Sequence, residues 1–314
     1  MRNSVNVLVI ALACSAVFAE PGVDKSLSHA DICQRYAASV VRINTSRGSG
    51  TGFIVSTDGY ILTAAHVVID TQKTGQIDGA ITVTLPNGSI HTANEVLPLT
   101  PELVGRDFAL LKVGGTNPKL PNINLAPITL ADIDLGSDVT IIGFPLSAVD
   151  IKSDSNIEKK FCLSGTIANF GEADVAITTT NPDATKSTTT VKVDVIYFQG
   201  PSVKGLSGSP IISNKSGHVI AILTSKLTGI SQSLAATRDT LISGSNGEFV
   251  MGNVAIGQTL LGIINTLDLQ LANGLGAGTG IEDARLAMEY MVRQENQKKN
   301  KLKLVNPFHP PKPN

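Results

Sequence analysis

The chain has no tryptophan in 314 residues, and aromatic residues make up 4% of it. Its core must therefore be built from smaller side chains. Abundant Val, Ile, Leu, Ala, Thr and Gly suit β-barrels packed with aliphatic groups. Charge is sparse as well: charged residues are 16% of the chain and the formal net charge is −1. With neither sign dominant, nucleic acid or an anionic membrane is not expected as the main partner. The apolar run from Val7 to Phe18 is too short to cross a bilayer. Gly48-Ser-Gly-Thr-Gly52 is rich in glycine but has no following helix and no Gly-Lys-Ser/Thr ending, which excludes a phosphate loop.

What is present divides the chain into four parts. Met1-Arg2-Asn3-Ser4, the apolar run and Val17-Phe18-Ala19 before Glu20-Pro21 have the layout of a signal peptide over 1–19. Export to a periplasmic or extracellular compartment follows, with no stable membrane insertion after cleavage. Two mature cysteines then remain, Cys33 and Cys162, either disulfide-bonded or as two free buried thiols; spacing alone does not decide. Ser28 to Asp31 reads as a capping box opening a short helix, with His29 solvated in its first turn.

Strand patterns fill the next part, residues 28–150, among them Phe53-Ile-Val55, Tyr60 to Val68, the hairpin Ile81–Ala93 around Pro86-Asn87-Gly88, Phe108–Val113 and Val139–Phe144. A second part, 151–272, opens at Phe161. It continues through a Thr/Ser-rich stretch tipped at Asn181-Pro182-Asp183, then through strands ending at Phe198, Ser213 and Thr224. Its expected closing strand is Phe249–Ile256, followed by a helix over Thr259–Leu269. Gly274 to Gly280 reads as a flexible break. Thr279-Gly-Ile-Glu282 reads as the capping box of a second helix with Ile281, Ala284, Met288, Met291 and Val292 on one face. Residues 273–314 are that helix and a basic, proline-rich tail.

The chemistry gathers around Lys204-Gly205-Leu206-Ser207-Gly208-Ser209-Pro210. A serine between glycines suits a nucleophile on a tight turn whose backbone N–H groups face a substrate. A serine hydroxyl is a poor nucleophile at neutral pH and needs a histidine within reach to accept its proton, and a buried carboxylate to orient that histidine. Tyr60-Ile-Leu-Thr-Ala-Ala-His66 is an apolar strand ending in a histidine, and Arg106-Asp107-Phe-Ala-Leu-Leu opens another strand with an aspartate.

Gly50-Thr-Gly-Phe-Ile-Val, Ile61-Leu-Thr-Ala-Ala-His66-Val-Val, Asp107-Phe-Ala-Leu-Leu-Lys and Gly205-Leu-Ser207-Gly-Ser-Pro210, in this order, resemble the trypsin/chymotrypsin-type serine proteases. The likeness is to the bacterial HtrA/Deg group especially and covers roughly residues 32 to 270. It implies an all-β fold: a chymotrypsin-like double six-stranded β-barrel, here with a short N-terminal helix and C-terminal helices. It also implies polypeptide substrates, no cofactor, no metal, and a triad of His66, Asp107 and Ser207. The N–H groups of Gly205 and Ser207 would form the oxyanion hole, and the strand Ile222-Leu223-Thr224 would line the substrate cleft.

The chain departs from the family pattern in several places. Leu206 stands where Asn or Asp is usual, Ser209 where a second glycine is usual, and Pro201 at the position of the trypsin-pocket aspartate. Strict Arg/Lys preference is not expected, and an aliphatic pocket is. Lys204 either adds positive charge near the developing oxyanion or is simply solvated. No Ile-Val-Gly-Gly start is present for a trypsin-type zymogen step. About 45 residues after the first C-terminal helix are too few for a PDZ module. A serine esterase of the α/β-hydrolase type is excluded, because Ser209 breaks G-x-S-x-G and only His218 and His309 follow Ser207. The rival reading is a chymotrypsin-fold protein that binds a partner without cutting it.

Overall fold

Strands buried on both faces read as continuous apolar runs, and Tyr60-Ile-Leu-Thr63 is one of them. In the computed structural model the described residues are 26–46, 48–70, 76–77, 79–95, 104–114, 119–145, 160–180, 185–226, 237, 240–241, 250–251, 254–255, 257, 259–264 and 275–305. The first barrel comprises β1 (Val40–Thr45), β2 (Gly48–Ile54), β3 (Tyr60–Thr63), β4 (Ile81–Thr84), β5 (Ile90–Glu95) and β6 (Ala109–Val113). Their spatial order is β1-β2-β3-β6-β5-β4, and the pairing of β4 with β1 closes the ring. Alternate side chains (Val41, Ile43, Ile54, Ile61, Leu111) fill the barrel. Those between them (Val40, Phe53, Leu62, Leu110) face a shared core with Ile142, Ile212 and Ile222 of the second barrel.

The second barrel comprises β7 (Asp138–Gly143), β8 (Phe161–Thr180), β9 (Lys186–Gln199), β10 (Pro210–Ser213), β11 (Val219–Lys226) and β12 (Leu275–Gly280). Its order is β8-β9-β12-β11-β10-β7, closed by β7 on β8. The expected closing strand, Phe249–Ile256, does not close it. Among the described residues, 250–251 and 254–255 pair with each other, and the closing strand is the glycine-rich Leu275–Gly280. The barrel therefore extends past the boundary at 272, and the expected flexible break is a strand. Its glycines make room for neighbours: a Cβ on Gly276 would lie inside the Phe198 ring, and one on Gly278 would press on Ile211.

The Thr/Ser-rich stretch is a long hairpin, paired from Thr166↔Gln199 out to Thr180↔Lys186, with its tip outside the described residues. Only the barrel ends of β8 and β9 pair with β7 and β12, so the rest is a two-stranded ribbon.

Helix α1 (His29–Tyr36) carries the expected capping box between Ser28 and Asp31. His29 is not simply solvated. Its Nδ1 lies 3.0 Å from Thr140 Oγ1 and its Nε2 3.7 Å from Cys33 Sγ. Cys33 and Cys162 form a disulfide with Cα atoms 6.0 Å apart, tying α1 to the start of β8. Residues 259–264 are helical, as expected. The C-terminal helix begins at Glu282, but not through a box with Thr279. Thr279 is buried in β12, and the Glu282 carboxylate accepts the Ile128 N–H at 2.8 Å. Ile281, Ala284, Met288 and Met291 pack on the shared core, whereas Val292 is 38% exposed. Residues 1–25 and the tail beyond 305 lie outside the described residues. Among those described, no helix is long and apolar enough to cross a membrane.

Candidate active site

Strand β3 reaches the barrel rim at Thr63, its last pair with β6 being Thr63↔Ala109. The chain then turns into the four-residue helix α2 (Ala65–Val68), so His66 sits on this helix and not on the strand itself. Buried Ala64, Ala65 and Val68 anchor the turn, while the His66 side chain remains 37% exposed. On the neighbouring strand, β6 is entered through a turn in which the Asp107 N–H donates to Val104 O at 3.0 Å. Asp107 has φ 49°, the left-handed region that few residues other than glycine adopt and that Asp tolerates better than most.

This backbone brings the carboxylate to α2 at two points. Asp107 Oδ1 accepts the His66 backbone N–H at 2.9 Å, and Oδ2 accepts from Nδ1 at 2.7 Å. With Nδ1 donating to a carboxylate, the neutral ring keeps Nε2 as an acceptor. Burial alone would push the His66 pKa down; the hydrogen bond and charge of Asp107 outweigh it and raise the pKa above 6.5.

Ser207 lies on the turn between β9 and β10. Gly205 and Gly208 have φ 93° and 87°, values that a side chain would make costly. Nearly every anchor of the turn is backbone. Ser207 O accepts the Thr51 N–H at 2.8 Å, Gly208 N donates to Leu223 O at 2.7 Å, and Ser209 O accepts the Leu223 N–H at 2.9 Å. Among the described residues, no internal acceptor takes the N–H of Gly205 or Ser207. Thr51 adds a side-chain hydrogen bond: its buried hydroxyl donates to Gly205 O at 2.8 Å and accepts the Phe144 N–H at 3.0 Å. Thr51 lies in the glycine-rich Gly48–Gly52 segment, which carries no motif that marks its task. A β-strand threonine between glycines was the only signal available.

Two contacts bring this turn to the His66 helix. A Cβ on Gly208 would overlap Thr51 O and Thr63 Oγ1 and come within 3.0 Å of Ala64 N. One on Gly50 would stand 3.1 Å from Ser207 O while overlapping Val67 of α2. The Ser207 turn thus rests on the end of β3 and the start of α2.

The remaining expected residues vary in placement. Lys204 is exposed and Ser207 half-buried. Ile222 and Leu223 are 0% and 1% exposed, with side chains in the cores, so they offer a cleft only their backbone. Thr224 is half-buried at a bulge between β11 and β12, and its hydroxyl donates to Ala277 O at 3.4 Å. Leu206 lies fully buried among Val139, Ile141 and Ile211, so apolar packing seats the turn where an ionisable or amide side chain is usual. Ser209 is fully buried too, and its hydroxyl has no hydrogen-bond partner among the described residues. Among those residues, no group of three or more His, Cys, Asp or Glu side chains could hold a metal ion.

Comparison with known proteins gives the family. The family model for the trypsin-like peptidase domain matches residues 50–222. Serine protease HTRA1A of Danio rerio is 30% identical over 68% of this chain and 42% of its own length. Serine protease HTR4 of Rattus norvegicus is 30% identical over 67% and 38%. The chain thus spans about two fifths of the length of the curated relatives it matches. Among solved structures, the serine endoprotease from Yersinia pestis is 21% identical, with a TM-score of 0.49 over 86% of this chain and 68% of that one.

Proposed function

The chain belongs to the trypsin-like peptidase family, and on that premise we propose that it is an exported serine endopeptidase working through His66, Asp107 and Ser207. The observation that carries this reading is the two-point grip of Asp107 on His66. A carboxylate tied to both the backbone N–H and Nδ1 of one histidine orients its ring for proton transfer at Nε2.

In this mechanism Ser207 Oγ attacks the scissile carbonyl carbon as Nε2 takes its proton. The carbonyl oxygen becomes an oxyanion, held by the N–H groups of Gly205 and Ser207. As the tetrahedral intermediate collapses, the C–N bond breaks and His66 returns the proton to the leaving amine. Water then gives its proton to Nε2 and adds to the acyl-enzyme, and the second collapse frees the new carboxyl end and regenerates Ser207. Asp107 stabilises the imidazolium in each half-reaction. Gly205 suits its role because its carbonyl is bonded inward to Thr51.

The substrates are extended polypeptides. The backbone of β11 near Thr224 pairs with them, and exposed Lys204 adds positive charge at the rim. Pro201 in place of a pocket aspartate favours an aliphatic residue before the cut. Residues 1–19 direct the protein to a periplasmic or extracellular location. The test is covalent labelling with a fluorophosphonate probe: folded, processed protein should label at Ser207, and Ser207→Ala should not. Folded wild-type protein that fails to label would favour the partner-binding reading instead.

A further inference from the structure

The turn that holds Asp107 touches more than its own barrel. A Cβ on buried Gly105 would lie inside the Ile177 side chain and 3.3 Å from Val191 Cγ2, so the β8–β9 ribbon presses directly on the turn. Arg106 donates to the carboxylate of Asp283 in the first turn of α3 (Glu282–Val305). That helix start is itself fixed. Ile281 N donates to Ile220 O at 3.1 Å, Glu282 takes the Ile128 N–H, and Arg285 closes on Glu282 at 2.8 Å. Phe108, the residue after Asp107, shares a core with Ile281 and Ala284. The left-handed conformation of Asp107 is costly by itself and persists only where its surroundings over-determine it.

We propose that Arg106 and Asp283 are positioning residues: the ion pair between them braces the Val104–Asp107 turn from helix α3 and thereby sets the grip of Asp107 on His66. Neither touches the reacting atoms. Both act through Asp107, and the helix after the last strand is part of what holds the catalytic pair in register. This inference rests on the peptidase reading only for its rate effects, because the His66–Asp107 contact exists whether or not the protein cuts peptides.

The charged groups around the turn are Asp107, Arg106 and Asp283, with Glu282 and Arg285 paired beside them. Of these, Asp107 is the one whose charge acts on the His66 ring. Arg106→Gln therefore gives a test by sign. If charge alone mattered, removing a cation near Asp107 would raise the His66 pKa. If Arg106 positions Asp107, the pKa falls, because a loosened carboxylate leaves burial to dominate.

The experiment is an NMR titration of the His66 ring in the full chain, assigned by its loss in His66→Gln, for wild type, Arg106→Gln, Asp283→Asn and Asp283→Glu. The expected result is a lowered His66 pKa in Arg106→Gln and Asp283→Asn and a near wild-type value in Asp283→Glu. With a peptide substrate, kcat should fall about 5-fold with KM unchanged, on the scale of one partly exposed ion pair. An unchanged or raised His66 pKa in Arg106→Gln overturns the proposal. Should Asp283→Asn melt α3, Arg106→Gln still probes the link without touching the helix. An inactive wild type whose His66 pKa drops in Arg106→Gln would sink the peptidase reading and uphold this one.

Discussion

His66 and Asp107 are joined through one carboxylate side chain, whereas the hydrogen bonds that seat the Ser207 turn are almost all backbone. The carboxylate of Asp107 makes both bonds that define the first pair. Around Ser207, N–H and C=O groups of residues 51, 206, 207, 208, 209 and 223 do the work, and two glycines at positive φ allow it. Each half therefore breaks in its own way. A side chain can be exchanged for an isostere with the fold intact, so the His66–Asp107 pair should lose chemistry before stability. A backbone-held turn has no such reserve. Adding one carbon at the wrong glycine should cost stability and chemistry together.

Four substitutions test that contrast, in descending order of expected effect. Asp107→Asn should lower kcat by about 10⁴-fold while the melting temperature stays close to wild type, since the amide cannot hold the productive tautomer. Its pH profile sharpens the point. Protonated His66 cannot act as base, and Asp107 raises the His66 pKa, so wild-type activity should fall as pH drops through a midpoint above 6.5. In Asp107→Asn the residual activity should fall at a lower pH, because burial then acts alone. A midpoint that does not move would separate Asp107 from the base.

Gly208→Ala should destabilise the fold by about 3–5 kcal/mol in urea unfolding, through backbone strain plus overlap with Thr51 and Thr63. An unaffected Gly208→Ala would mean the turn is not held as described. Thr51→Val should cost about 1–3 kcal/mol, because Gly205 O and Phe144 N lose a buried partner. It should also slow acylation, since Gly205 is no longer tied inward. Ser209→Ala should do the opposite and stabilise the protein by about 1 kcal/mol, because its buried hydroxyl has no hydrogen-bond partner among the described residues. A destabilised Ser209→Ala would show that the hydroxyl has work to do.

Much of the architecture was legible in residue order. Ala109–Val113 and Asp138–Gly143 are strands where the apolar runs put them, Tyr60–Thr63 is the strand half of the run expected to reach Val68, and the capping box at Ser28 and Asp31 starts the expected helix. The closing strand of the second barrel was not legible. Glycines at 274, 276, 278 and 280 follow the ordinary rule for a break, whereas Phe198, Ile211 and Asp194 packed against Gly276, Gly278 and Gly280 show why a strand of glycines fits there. Apolar Phe249–Ile256 carries the stronger strand pattern, yet among the described residues it contributes only a two-residue ladder. At the site, residue types and motif order were enough to nominate His66, Asp107 and Ser207. The short helix under His66, the left-handed Asp107 and the Thr51 bridge were not visible, because each depends on a neighbour far along the chain.

The sequence by itself determined which side chains can move protons, which segments are apolar enough to be strands, and where a glycine pair lets a serine stand on a tight turn. These are local properties, carried by each residue and its near neighbours. Only the tertiary structure decided that Cys33 meets Cys162, that Leu275–Gly280 completes a barrel, and that Arg106 reaches Asp283 on the last helix. Such contacts join residues fifty or more positions apart. The local pattern of a strand, a thiol or a guanidinium is compatible with many partners, and close packing in three dimensions selects one of them.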